Sequence, residues 1–181
     1  IECLTDEVRK LLLAGLISDT GRFQHADLSS LKCASEILEG ANFEYQEFVE
    51  NIQSETITSS DRGAILKALS RCSSQDAGEW NLVKTSAGIL EGRVASILVQ
   101  AGAEVALVSR YRDGETRLTS RAPRSMTSLG LHLGNIMSEI AEKLGGDGGG
   151  HDGAAGWSGK SDQISAESAF IHALASIRRK K

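Results

Sequence analysis

Proline is almost missing from this chain: Pro123 is the only one in 181 residues, against 19 glycines, so the loops have to be built on glycine. Cysteine is equally sparse. Cys3, Cys33 and Cys72 are odd in number and far apart, and no C-x-x-C pair occurs. That excludes a zinc knuckle and a disulfide framework, and it points to a reducing cytoplasm. Long hydrophobic runs are absent. The longest, Leu11-Leu12-Leu13-Ala14-Gly15-Leu16-Ile17, falls far short of the roughly 20 residues a membrane helix needs, and no signal peptide is visible. A basic excess is also lacking: 20 Lys and Arg stand against 24 Asp and Glu, a formal net charge of −4. This argues against a broad, non-specific nucleic-acid surface, but it leaves room for a short nucleotide held by a few well-placed groups. The chain does not open with methionine and begins inside an apparent helix, so Ile1 reads as an internal cut.

What is present is a globular composition, 40% apolar and 24% charged, enough for one ordinary domain or two small ones. Ile1, Leu4, Val8, Leu11 and Leu12 recur at helical spacing and predict an amphipathic helix over 2–16, broken by Ser18-Asp19-Thr20-Gly21. Leu11, Leu12, Leu13, Leu16 and Ile17 supply more apolar surface than one amphipathic helix pair can bury, so part of it should lie exposed or be covered by another chain. Asp27 suits the N-cap of a second helix that runs to about Leu38 and ends at Gly40. Residues 43–50 read as a short helix. The polar stretch from Gln53 to Ser60 is the candidate interdomain connection, with Ser60 capping a helix to about Ser70. Beyond it, residues 81–87 and 104–110 read as strands, with a helix marked by Val94, Ile97, Leu98 and Ala101 between them. Asp113-Gly114 suits a tight hairpin turn into a strand over 115–120. Leu129, Leu133, Ile136, Met137, Ile140 and Leu144 trace a helix, and Ala166 to Ile177 another, which ends in the basic tail 178–181.

Two motifs carry chemistry. In Leu16-Ile17-Ser18-Asp19-Thr20-Gly21-Arg22-Phe23 a carboxylate starts a turn and a glycine lets the backbone bend. Such an aspartate can serve as a hard oxygen ligand for Mn²⁺ or Mg²⁺, or simply cap the turn through its own backbone. The second motif is Gly145-Gly146-Asp147-Gly148-Gly149-Gly150-His151, followed by the small residues Gly153-Ala154-Ala155-Gly156. Consecutive glycines can aim several N–H groups at one point as an anion nest, with His151 as an added donor. The other reading is a flexible linker, but this stretch abuts a strong helical pattern and holds a lone histidine. Ala154, Ala155 and Gly156 have the size a tightly packed strand beside it requires.

Together these motifs resemble the DHH phosphoesterase superfamily with its DHHA1 domain. Asp19-Thr20-Gly21 is similar to the last of that family's four metal-binding motifs, and Gly148-Gly149-Gly150-His151 to the GGGH signature of DHHA1. Thr119-Ser120-Arg121 sits where the family places a substrate-binding arginine, and the string GGGHDGAAG looks archaeal. The resemblance implies an α/β fold: a C-terminal remnant of a DHH domain over 1–58, then a small mixed-sheet DHHA1 domain over 59–181. It implies a metal-dependent phosphoesterase acting on short oligonucleotides or nucleotide phosphates. Two Mn²⁺ ions would serve the whole enzyme. Asp19 would be a ligand and catalytic residue, and Arg121, Gly148, Gly149, Gly150 and His151 would hold the substrate phosphate. RecJ-like exonucleases and cyclic-dinucleotide phosphodiesterases are neighbouring readings, and a nucleotide- or RNA-binding module without catalysis is a reading of another class. The family's remaining metal ligands precede the DTG motif and do not occur here, so this chain alone is expected to be inactive and to lack bound Mn²⁺. A cytoplasmic location, no membrane partner and an optional homodimer complete these expectations.

Other residues carry less. His25 follows the DTG turn and either lines a cleft or sits in a surface loop, and Arg22 is a further cleft candidate. His132 suits packing at a helix edge, His172 a solvated face, and Arg124 a phosphate contact. Trp157 could stack on a base, and Trp80 less readily; burial is the usual fate of both. The basic tail reads as a solvated end.

Overall fold

The computed structural model describes residues 4–53 and 57–180. It divides into two compact units, Ile1–Ile57 and Thr58–Lys181.

The first unit is helical: α1 (Asp6–Asp19), α2 (Leu28–Leu38) and α3 (Tyr45–Gln53). Asp27 is the N-cap of α2, its carboxylate accepting from the Ser30 N–H at 2.7 Å, and Gly40 (φ 78°) turns the chain after that helix. Leu13, Ile17, Ala34 and Ile37 form a small core, with Phe43 and Phe48 packed beside it. Arg9 is buried and its Nη1 donates to the carbonyls of Ile37 (2.7 Å) and Glu39 (2.9 Å), joining α1 to the end of α2 and satisfying a carbonyl the helix itself leaves orphaned. Part of the apolar surface stays uncovered: Leu11 is 73% and Leu28 69% exposed.

The second unit opens on α4 (Ser59–Leu69), whose cap is Thr58, two residues ahead of the predicted Ser60; Thr58 and Asp61 satisfy each other's backbone N–H in a capping box. Then come β1 (Ser73–Ala77), β2 (Trp80–Ser86), α5 (Glu91–Gln100), β3 (Val105–Arg112), β4 (Glu115–Arg121), a short α6 (Arg124–Thr127), α7 (Leu133–Leu144), β5 (Asp147–Gly150), β6 (Ala154–Gly159) and α8 (Gln163–Ser176). The strands form one mixed sheet in the order β1-β2-β3-β4-β6-β5. Only β2 and β3 are parallel, which is why a crossover helix, α5, joins them.

The pleat sends alternate residues to opposite faces. On one face Leu82, Val105, Leu107, Leu118 and Trp157 pack under α7 and α8. On the other, Ala106 and Val108 pack with Val94, Ala95 and Leu98 of α5 and with Ile65 and Ala68 of α4. Both tryptophans are core residues: the Trp80 indole donates to the Ile177 carbonyl at 2.8 Å and that of Trp157 to the Gly145 carbonyl at 3.0 Å. Neither ring is therefore available to stack on a base.

Four expectations are corrected here. The glycine stretch is not a loop, because β5 runs through Asp147–Gly150 as an edge strand paired with β6. Leu129 lies ahead of α7. His132 is that helix's N-cap, its Nδ1 accepting from the Asn135 N–H at 3.2 Å, which replaces the packing role. The basic tail is tied down over 178–180. Arg178 pairs with Glu79 at 3.0 Å, Arg179 pairs with Glu104, and the Lys180 N–H donates to the Leu129 carbonyl at 2.8 Å.

A polar network anchors α8 to the sheet. Glu167 accepts from Lys84 (2.9 Å), the Ser109 hydroxyl (2.7 Å) and Gln163 (2.8 Å). Burial pushes the Glu167 carboxyl pKa up, but hydrogen bonds from Ser109, Gln163 and Lys84, with the Lys84 charge, outweigh it and leave the pKa below its ordinary value. A carboxylate whose folded pKa is depressed contributes stability above its unfolded pKa and loses it as pH falls through the folded one. Glu167→Gln should therefore lower stability at neutral pH by about 1–2 kcal/mol, the low end of a charge-assisted network because Lys84 is partly solvated. The gap between the two proteins should close as urea melts are repeated down the acid range; a gap that stays constant with pH would contradict this account.

Candidate phosphate-binding site

The hairpin β5–β6 sets the geometry of the GGGH segment. Gly148 lies under α7, where an added Cβ would overlap the Met137 carbonyl, and Gly134 of α7 sits equally close to the Gly150 carbonyl. The N–H groups of Leu133 and Gly134, in the first turn of α7, donate to the carbonyls of Asp152 (2.9 Å) and His151 (3.0 Å). That helix N-terminus is thus occupied by the turn. Successive N–H groups of a strand point to opposite sides, so β5 forms no converging nest. Gly148 instead serves close packing of helix on strand.

What the sheet does assemble is a row of side chains. Arg121 of β4 pairs in register with Ala154 of β6, and the His151 N–H donates to the Ala154 carbonyl at 2.8 Å. Leu118 and Trp157 face the α7–α8 core, so the alternation puts Arg121 and Ala154 together on the opposite face, and the backbone bond to Ala154 brings His151 to the end of that row. With neighbouring strands about 4.8 Å apart, Arg121 and His151 stand roughly 10 Å apart over a methyl group. Both are exposed and neither side chain has a hydrogen-bond or ion-pair partner among the described residues. A Cβ on Gly92 would lie 4.0 Å from the Arg121 guanidinium, so this arginine reaches toward the first turn of α5. The N-cap of α5, Leu90, has a left-handed backbone (φ 60°) and offers no side-chain cap, so the first N–H groups of the helix are left to other partners. Beyond the end of the row, Arg124 lines a separate polar pocket of about 530 Å³ with Ala122, Thr127, Ser128, Asp152 and Gly153.

In the first unit, Asp19 is the last residue of α1 and is exposed. Thr20 organises the turn: its hydroxyl donates to the Leu16 carbonyl (2.7 Å) and accepts from the Phe23 N–H (3.1 Å). Gly21, Arg22 and Phe23 all have positive φ, and the His25 ring would lie 3.2 Å from a Cβ on Gly21. Asp19, Arg22 and His25 make no side-chain bond to one another. Asp19 also lines an apolar pocket with Leu11, Leu12, Leu16 and Ile37.

Residues 81–178 match the family model described as the DHHA1 domain. The chain belongs to the DHHA1 domain family. A curated relative, an uncharacterised protein of Methanocaldococcus jannaschii, is 29% identical over 176 residues, which is 96% of this chain and 52% of the relative. The chain thus spans about half the length of the curated protein it matches. Among solved structures, an exopolyphosphatase-related protein from Bacteroides fragilis superposes with a TM-score of 0.72 at 16% identity, covering 94% of this chain and 50% of that one. The DHH domain of a member of the s1p family of ribosomal proteins gives 0.53 at 21% identity, covering 99% and 44%. These likenesses show the fold, and the mixed six-stranded sheet is that of a DHHA1 domain.

Two manganese ions do not fit the residues described. Among them no group of three or more His, Cys, Asp or Glu side chains comes together, and Asp19 is a single carboxylate where such an ion wants about six ligands. The sequence reading missed Arg117, Ser158 and Asp147, which share the face of Arg121 and His151. The alternation Arg117-Leu118-Thr119-Ser120-Arg121 after a hairpin turn was the available signal.

Proposed function

We propose that this DHHA1 domain holds the phosphate of a nucleotide or short oligonucleotide on behalf of a DHH-type phosphoesterase. The observation that carries the reading is the row Arg121–Ala154–His151. It brings Arg121 and His151, whose side chains have no partner among the described residues, to either side of the small Ala154. Arg121 can give a phosphate two parallel N–H bonds, and His151 a third donor from the opposite side. The small Ala154 between them admits the anion, and the uncapped start of α5 lends the same sign of potential near Arg121. In this reading Mn²⁺ is the metal of the whole enzyme and Asp19 one of its ligands. The chain's own contribution is to bind and orient the substrate. A nucleotide-binding module without catalysis would use the same row.

Titration of the chain with adenosine 3′,5′-bisphosphate and with inorganic phosphate tests this. Arg121→Ala and His151→Ala should each weaken binding by about 1–3 kcal/mol, the worth of a charge-assisted hydrogen bond. Unchanged affinity in both variants would remove the phosphate site from this face.

A further inference from the structure

The face that carries Arg121 and His151 extends past them. Two more rows lie parallel to the first: Thr119–Gly156–Gly149, and then Arg117–Ser158–Asp147. Same-face residues along a strand are roughly 6.7 Å apart, so the last row stands about 13 Å from the phosphate row. A pocket of about 530 Å³ occupies that end, with Arg117, Asp147, Gly149, Gly156 and Ser158 in its lining.

The middle row is a floor without side chains, and the fold does not fully account for it. Gly148 and Gly146 are dictated by packing, since a Cβ on either would overlap a backbone carbonyl. Gly149 is different: nothing lies within 3.9 Å of its would-be Cβ. A Cβ on Gly156 would meet the Leu118 carbonyl at 3.3 Å, a tight contact but short of the overlap at Gly148. Two adjacent glycines on the polar face leave bare peptide planes on which a flat ring can lie.

The charges at the far end say what kind of ring. Arg110, Arg112 and Arg117 line the pocket with Asp113, Glu115 and Asp147, so the lining is balanced and offers a second phosphate no net attraction. Arg110 pairs with Glu91 at 3.0 Å, Arg112 pairs with Asp113 at 3.1 Å, and Glu115 stands opposite Arg112 in register. Arg117 and Asp147 remain, one at each end of the row, exposed and without a side-chain partner among the described residues. A free donor fork and a free two-oxygen acceptor, with the Ser158 hydroxyl between them, match a neutral group that presents donors and acceptors along one edge.

Resting on the phosphate-holding reading above, we infer that this glycine-floored pocket is a base site, and that it selects guanine. The base lies over Gly149 and Gly156 while its phosphate stays between Arg121 and His151. Guanine offers adjacent N1–H and N2–H donors to the Asp147 carboxylate and its O6 and N7 acceptors to Arg117. Adenine has one exocyclic amino group and no N1–H donor, so it leaves Asp147 half satisfied.

The experiment is equilibrium binding of GMP, AMP and ribose 5-phosphate to the full chain, to Asp147→Asn and to the surface variant Arg117→Ala, with circular dichroism to verify folding. GMP should bind the unmodified chain roughly tenfold or more tighter than AMP, as a bidentate base contact provides. Asp147→Asn should erase that gap and leave ribose 5-phosphate unchanged; Arg117→Ala should weaken GMP and spare ribose 5-phosphate. Equal affinity for GMP and AMP, or a gap that survives Asp147→Asn, overturns the base site. If ribose 5-phosphate still binds through Arg121 in that case, the phosphate reading stands without it. Failure of all three ligands to bind overturns the phosphate reading, and this inference with it.

Discussion

Gly148→Ala should lower stability by about 3 kcal/mol or more, while Gly149→Ala, one residue away, should change it by less than about 1 kcal/mol. The pleat explains the contrast. Gly148 faces α7, where the new methyl overlaps the Met137 carbonyl oxygen and comes within 2.9 Å of the Trp157 ring. Both elements are fixed: α7 by its buried Leu133, Ile136, Met137 and Ile140, and Trp157 by its place in the core and its bond to the Gly145 carbonyl. A backbone carbonyl inside a helix has no rotamer to escape into, so the strand or the helix has to move and the packing beneath is lost. At Gly149 the methyl meets only the Ser138 hydroxyl, at an ordinary 3.9 Å, and a strand residue with less freedom in the unfolded chain offsets any small contact cost. Urea melts of the two variants measure the difference directly. If Gly148→Ala melted with the parent chain, the close approach of α7 to β5 would be wrong. Gly149→Ala, stable but with weaker nucleotide binding, would mark a glycine kept for its ligand.

This pair of glycines also shows where the sequence was legible and where it was not. The 3.6-residue stripes of α1 and α7 and the apolar centre of β3 could be read directly, because burying one face imposes a period on the residues. Asp27 as a cap and Asp113-Gly114 as a hairpin turn were legible for an equally local reason: Asp113 has φ 54° and Gly114 φ 80°, as a left-handed two-residue turn requires. The strand β1, Ser-Ser-Gln-Asp-Ala, escaped because only Ala77 in it is buried, so it carries no alternation. β5 escaped because four residues of Asp-Gly-Gly-Gly have almost no side chain to alternate. Glycine there means close approach to the preceding helix, α7, and nothing in local sequence separates that from a nest or a linker. Arg121 and His151 were legible as motif residues. Their neighbourhood was not, since the register that aligns Arg121 with Ala154 is a property of three strands taken together.

The second large effect lies at the opposite end of the sheet from the hairpin turn. Trp80→Ala should destabilise the chain by about 3–5 kcal/mol, and Trp80→Phe by about 1–3 kcal/mol. Trp80 opens β2, is fully buried, and is among the largest fully buried side chains in the core. Truncation leaves a cavity between β1, β2 and α8 that rigid strands cannot collapse to fill. Its indole N–H also donates to the Ile177 carbonyl at 2.8 Å, just past the end of α8, so phenylalanine would fill most of the space yet leave that carbonyl without its donor. The effect reaches the tail. The Arg179 guanidinium lies 4.7 Å over the Trp80 ring and pairs with Glu104, whose carboxylate also accepts from the Asn81 N–H at 2.8 Å. The ring therefore shields an ion pair that holds the C-terminal segment across the start of β2. Loss of the aromatic face should loosen residues 177–180 before it unfolds the sheet. Hydrogen exchange should register this as faster amide exchange at Ile177, Arg179 and Lys180 in Trp80→Ala, with the amides of β3 and β4 slowed or quickened only in step with global stability. Exchange at those tail amides that matched the parent chain would mean that Glu79 and Leu129, the other anchors of the segment, hold it without the tryptophan.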